Sequence, residues 1–159
     1  KDGYTAELKA DLCNMKYEIN YLSCGQCQAR IHCEDCGLKL MEIPKDYIVG
    51  KQRYFSDYIS GQNLINLYSG SIQKWAEQNE LEYAVAVNLI LSHEYYHYLE
   101  MNEIGLASRD YLVPMVTIGQ LKLGKTGIRA LSEVGAHAFA RKYYELVTER
   151  KQQHEATEL

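Results

Sequence analysis

From Leu81 to Met101 the chain carries Leu81, Ala84, Val85, Val87, Leu89, Leu91 and Leu99, with few polar positions between them. That run is too long for a strand, and its near-uniform apolarity predicts a buried helix. A second run, from Ile128 to about Gln152, puts Leu131, Val134, Ala138, Leu146 and Val147 on one side and predicts an amphipathic helix. Between Gly61 and Gly70, the apolar Leu64, Ile65, Leu67 and Tyr68 predict a strand over about 62–69. Ser71 then offers an N-cap for a short helix through Trp75. Nearer the start, Tyr17, Ile19 and Tyr21 alternate before a cysteine-rich stretch, and Leu38, Leu40 and Ile43 after it. This predicts a hairpin. Residues 104–126 are punctuated by Gly and Pro and are expected to be a connector, and the end, KQQHEATEL, is expected to fray.

These elements give an α+β fold. A small four-cysteine hairpin module is expected over 1–45, followed by a domain over 46–159 with a short mixed or antiparallel sheet. At 159 residues the chain has the size of one ordinary domain. With 47% hydrophobic and 24% charged residues, its composition is that of a globular chain. The formal net charge of -4 gives no global basic balance, so direct nucleic-acid binding is not expected. No run approaches the ~18 apolar residues of a membrane span. The polar start, KDGYTAELKAD, has no signal-peptide pattern, so the expected location is the cytoplasm. The 14 tyrosines against 2 phenylalanines suggest amphipathic surfaces or a groove. Oligomeric state is not readable.

Inside the most apolar helix lies LILSHEYYHYLE, residues 89–100. His93 and His97 are four apart, so both rings fall on one helix face and can meet one ion. Zinc takes imidazole nitrogens at ~2.0–2.1 Å and, for catalysis, needs three protein ligands and an open position. Glu94 lies beside the pair as a general base that moves a proton from water to a leaving amine. HEYYH thus has the HExxH form. The plain reading, two histidines filling a helix face, sits poorly here. Burying two imidazoles and a carboxylate together is costly unless they are paired or bind metal.

A third ligand must come from elsewhere. The HExxHxxGxxH continuation fails, because positions 100 and 103 are both Glu, so Glu103 is a weak candidate. On the last helix, in ALSEVGAHAFARKYY, Glu133 and His137 are again four apart, and either is placed to reach the metal. Glu133 completes the two-His, one-Glu set of thermolysin-like zinc sites. His137 would then orient an imidazole or steady a transition-state oxyanion.

The stretch E-V-G-A-H-A-F-A, residues 133–140, is similar to the E-x-x-A-N-x-F-A pattern that follows HExxH in the ImmA/IrrE family of metallopeptidases. Glu133, Ala136, Phe139 and Ala140 match, and His137 stands where that family usually has Asn. The resemblance covers roughly residues 60–150. The tyrosines of HEYYH replace small or aliphatic residues, and the longer interval from His97 to Glu133 implies an insertion within 104–126. The resemblance implies a zincin-like zinc peptidase that cleaves a protein substrate, in that family a repressor-type regulator of bacteria or mobile elements.

A second metal signal is Cys24, Cys27, Cys33 and Cys36, spaced C-x2-C-x5-C-x2-C. Two CxxC turns can each give two thiolates to one tetrahedral zinc, with no open position for chemistry. An iron–sulfur centre or two disulfides are the alternatives. Cys13 is left over, as a small buried hydrophobe. The expected complement is therefore two Zn²⁺, one catalytic and one structural.

Two opposing readings complete the set. GQLKLGKT, residues 119–126, spells G-x-x-x-x-G-K-[ST], the string of a P-loop with Lys125 on phosphates and Thr126 on Mg²⁺. Too little chain follows it for the further parallel strands such a fold needs. The other is a catalytically silent, zinc-dependent binding module. Glu94 argues for the enzyme, since a structural site needs no general base.

Overall fold

The computed structural model of the chain describes Cys33, residues 36–118 and residues 120–157. Its architecture is α+β. A three-stranded sheet is built from β1 (Lys39–Ile43), β5 (Leu64–Tyr68) and β4 (Ser56–Ile59), in that order. β1 runs parallel to β5, with Lys39 opposite Leu64, and β4 runs antiparallel to it, with Ser56 opposite Leu67. Ile65 and Leu67 alternate inward along β5 and are fully buried, the period-2 pattern of a strand with one face on a core.

β5 is therefore the central strand. Residues 62–69 thus offer no edge to which a substrate strand could add: both flanks of β5 are occupied, and β4 is an edge among the described residues. The reason lies in the partners. β4 is only four residues long, and of these only Tyr58 packs against the core, so it does not read as a strong strand. The arm expected after the cysteines, Leu38 to Ile43, does form a strand. Its partner is β5, and Leu38 and Cys33 join the same core as Ile65 and Leu67.

Between these strands, β2 (Tyr47–Val49) and β3 (Gln52–Tyr54) make a small antiparallel hairpin. It is fastened to α1 (Ser69–Gln78) through Asp46. The Asp46 carboxylate accepts from Arg53 Nε at 2.8 Å, Lys74 Nζ at 2.6 Å and the Ser71 hydroxyl at 3.1 Å. Ser71 does not cap α1 from outside, as expected. It lies buried in the first turn, where its hydroxyl also accepts the Tyr47 N–H at 2.8 Å. The helix starts three residues earlier than an N-cap at Ser71 implies, with Tyr68 at the N-cap and no side-chain cap.

α2 (Tyr83–Leu99) is the apolar helix, and it is covered by α1 and β4 as well as by α3 (Ala130–Thr157). This contact on several sides is why so few of its positions are polar. Tyr95, Tyr96, Leu91 and Leu99 are fully buried on it, and Phe139 of α3 packs between the two tyrosine rings. α3 runs past the expected end near Gln152, as far as Thr157.

The segment 104–126 is not a plain connector. A π-helical turn over Glu100–Ile104 ends at Gly105, whose φ of 80° and ψ of 153° suit only glycine. A 3-10 turn at Ala107–Arg109 follows, and then β6 (Leu112–Ile118) and β7 (Leu121–Gly127) pair as an antiparallel hairpin. Gly and Pro punctuation concealed it. Lys125 and Thr126 lie in β7, opposite Pro114 and Val113, so they are strand residues and not the loop of a phosphate cradle. Among the described residues no helix is long and apolar enough to cross a membrane.

Candidate metal centre

α2 presents His93 and His97 one turn apart on the face that meets α3. The two Nε2 atoms lie 3.3 Å apart. Glu133, in the first turn of α3, closes the group: its Oε2 is 3.5 Å from His93 Nε2 and its Oε1 is 3.7 Å from His97 Nε2. Ligand bonds of ~2.0–2.1 Å at tetrahedral angles separate neighbouring ligand atoms by roughly 3.3–3.4 Å. The three observed separations, 3.3, 3.5 and 3.7 Å, suit one zinc-sized ion with small adjustment. Among the described residues this is the group of three His, Cys, Asp or Glu side chains with converging ligand atoms.

Close approach of the helices makes the convergence possible. Gly135, two residues after Glu133, faces Tyr96: a Cβ built there would overlap the tyrosine hydroxyl and ring. Glycine costs about 1 kcal/mol against alanine inside a helix, so its place here is bought by contact with a full-sized ring.

Glu94 is only 7% exposed and lies on the cleft wall beside the triad. The Ser56 hydroxyl, from edge strand β4, donates to its Oε1 at 2.6 Å. One carboxylate oxygen is thereby held against the sheet. His137 lies one turn beyond Glu133 on α3, with its ring centroid 4.9 Å from that of His93. It stands beside the converging atoms and not among them.

Glu100 has no role in the sequence reading beyond the absence of glycine at that position. It is 1% exposed. Its Oε2 lies 3.3 Å from His97 Nδ1, and its Oε1 accepts the Ala107 N–H at 2.9 Å. The signal for it is the i,i+3 spacing from His97, which puts the two on one helix face.

The electrostatics follow from these contacts. Burial would push His97 down, but the hydrogen bond with Glu100 and the charges of Glu94, Glu133 and Glu100 outweigh it, and His97 is raised above the ordinary imidazole value. The His93 ring holds the half-exposed Glu133 below its ordinary value against the pull of burial, and His97 and His137 add to the effect. His137 is lowered by burial first and by the neighbouring histidines, with Glu133 opposing.

All these groups line a cleft of about 1020 Å³ between β4, α2 and α3. Phe55, Tyr58 and Trp75 add aromatic wall, and Arg53, Arg129 and Arg141 add guanidinium groups. The volume admits several residues of a peptide.

Of the cysteine set, Cys33 is buried in the core and Cys36 is half-buried, its Sγ 3.5 Å from the Tyr95 hydroxyl on the back of α2. Cys24, Cys27 and Cys13 lie outside the described residues. No protein-family model matches the chain, nor does any curated protein or solved structure.

Proposed function

We propose that the protein is a zinc metallopeptidase of zincin type that hydrolyses peptide bonds of a protein substrate in the cytoplasm. The observation that carries this reading is the convergence of His93, His97 and Glu133 with Glu94 alongside, in a cleft of about 1020 Å³. His93, His97 and Glu133 would hold the ion. A zinc ion there supplies a Lewis acid that polarises the scissile carbonyl and brings the pKa of water toward ~7.

The chain's own residues do the rest. Glu94, with one oxygen held by Ser56, takes the proton of the attacking water on its other oxygen and returns it to the leaving nitrogen. His137, at the side of the cleft, donates to the oxyanion that develops on the carbonyl. The edge strand β4 offers main-chain groups to an extended substrate, which would add as a further strand along the cleft. The likeness to the ImmA/IrrE pattern at Glu133, Ala136, Phe139 and Ala140 supports the same chemistry. Cys24, Cys27, Cys33 and Cys36 would bind a second, structural zinc.

Metal content per chain tests this directly, on wild type and on His93→Ala, His97→Ala and Cys24→Ala. The expected result is two zincs in wild type, one lost in the histidine variants and the other in the cysteine variant. A wild type that holds only the cysteine-bound metal overturns the peptidase reading.

A further inference from the structure

We propose that Glu100 is a positioning residue that fixes His97 in the tautomer protonated at Nδ1, so that Nε2 is the nitrogen presented to the metal. The proposal rests on the zinc-site reading above and deepens it.

Glu100 is the most buried carboxylate of the cleft, at 1% exposed. A buried carboxylate is costly unless its oxygens are matched by donors. One oxygen is matched by the Ala107 N–H at 2.9 Å. A neutral glutamine would serve that donor as well. The charge is therefore accounted for on the other side, where Oε2 faces His97 Nδ1 at 3.3 Å. A carboxylate only accepts, so the contact requires a proton on Nδ1. In the neutral ring that leaves Nε2 with its lone pair, and Nε2 is the atom that faces His93 Nε2 and Glu133 Oε1. Carboxylate behind imidazole also raises the basicity of the ligating nitrogen.

The anchoring comes from the local fold. Gly105 turns the chain back after the π-helical turn, and this returns Ala107 to the carboxylate. Glu100 is thus held from behind by backbone and not by a mobile side chain. Its bond to Ala107 also ties His97 to Leu106 and Ser108, which stand on the cleft rim.

The test uses the full chain and two measurements. In Glu100→Gln the side-chain shape stays, but an amide that keeps Ala107 must turn its NH2 toward His97. Zinc affinity of this variant, by chelator competition, is expected to fall about 10- to 100-fold. In zinc-loaded wild type, long-range proton–nitrogen correlation on the histidine rings is expected to show His97 carrying a proton at Nδ1 and bound through Nε2. An affinity within about two-fold of wild type in a folded Glu100→Gln overturns the proposal. So does a His97 bound through Nδ1, and that result is read on wild type even if the variant fails to fold. The two readings separate cleanly. A wild type that binds zinc here and cleaves nothing removes the peptidase and leaves Glu100 in its role. A wild type without zinc at His93 and His97 removes both.

Discussion

Two clusters of charged side chains in this molecule are built in opposite ways. At the foot of the small hairpin, Asp46 is met by Lys74, Arg53 and the Ser71 hydroxyl, and the first two pull its pKa down to about 2. Every acceptor there meets a donor, and the cluster closes on itself. In the cleft, two imidazole Nε2 atoms and a carboxylate converge on one another at 3.3 to 3.7 Å. Such a group can take a cation between its members. The difference separates a cluster that closes on itself from the one we propose holds a metal ion.

The comparison breaks most sharply at Glu94. If the cleft is a working peptidase site, Glu94→Gln lowers kcat by about 10²- to 10⁴-fold, the usual range for loss of a general base, while zinc content stays at wild-type level. Turnover of a cleavable peptide, with metal content measured on the same sample, checks it. Equal turnover in both proteins would remove Glu94 as the base, and a wild type without turnover would turn the cleft into a binding site.

Next in size is Gly135→Ala. The added methyl meets the Tyr96 ring, which is fully buried and cannot swing away. Overpacking of this kind costs about 1–3 kcal/mol. Because Glu133 is two residues away, the strain also draws it from His93 and His97. Thermal unfolding should show a lower Tm, and chelator competition a weaker zinc site. An unchanged Tm would mean that the helix contact is looser than the geometry implies.

How much of this could be read from sequence differs between the same two regions. The i,i+4 spacing of His93 and His97 is a local property, and a helix apolar on nearly every side leaves little doubt about their common face. Glu133 and His137 are legible for the same reason, though not which of them joins the converging ligand atoms. That depends on how α3 crosses α2, which is set by Gly135 against Tyr96. Glu100 shows in the sequence only its i,i+3 spacing from His97, and Ser56 shows nothing, because each acts through a fold-back: Gly105 returns Ala107 to one, and β4 carries the other across from a strand of four residues. The Asp46 cluster joins residue 46, just before β2, to residue 53 of β3 and residues 71 and 74 of α1, and no periodicity links them. The hairpin at 112–127 is hidden by its own Pro114 and Gly124, whose turn-forming tendency outweighs the weak alternation around them.

A smaller effect is expected at Ser56. Its hydroxyl donates to a nearly buried carboxylate at 2.6 Å, and hydrogen bonds to charged groups contribute roughly 1.5–3 kcal/mol. Part of that is recovered by water in an open cleft, so Ser56→Ala should lower kcat/KM by about ten-fold. Zinc affinity should not change, because Ser56 touches no ligand. A fall in zinc affinity instead would place Ser56 in the metal site and not behind the base.

The smallest effect, and the sharpest control, belongs to Asp46. Its folded pKa of about 2 lies below the ordinary aspartate value of 3.8. A depressed carboxylate contributes stability that is fully present above the unfolded pKa and is lost as pH falls through the folded one. Asp46→Asn should therefore be less stable than wild type at neutral pH, and the two urea-unfolding curves should draw together between pH 4 and pH 2. Arg53 and Lys74 keep contact with solvent, so added salt should also narrow the gap. Zinc affinity should stay at the wild-type value, since no member of the cluster belongs to the group of His93, His97 and Glu133. If Asp46→Asn instead weakened zinc binding, the two clusters would be coupled through α1 and α2, and the division between a closed cluster and an open one would fail.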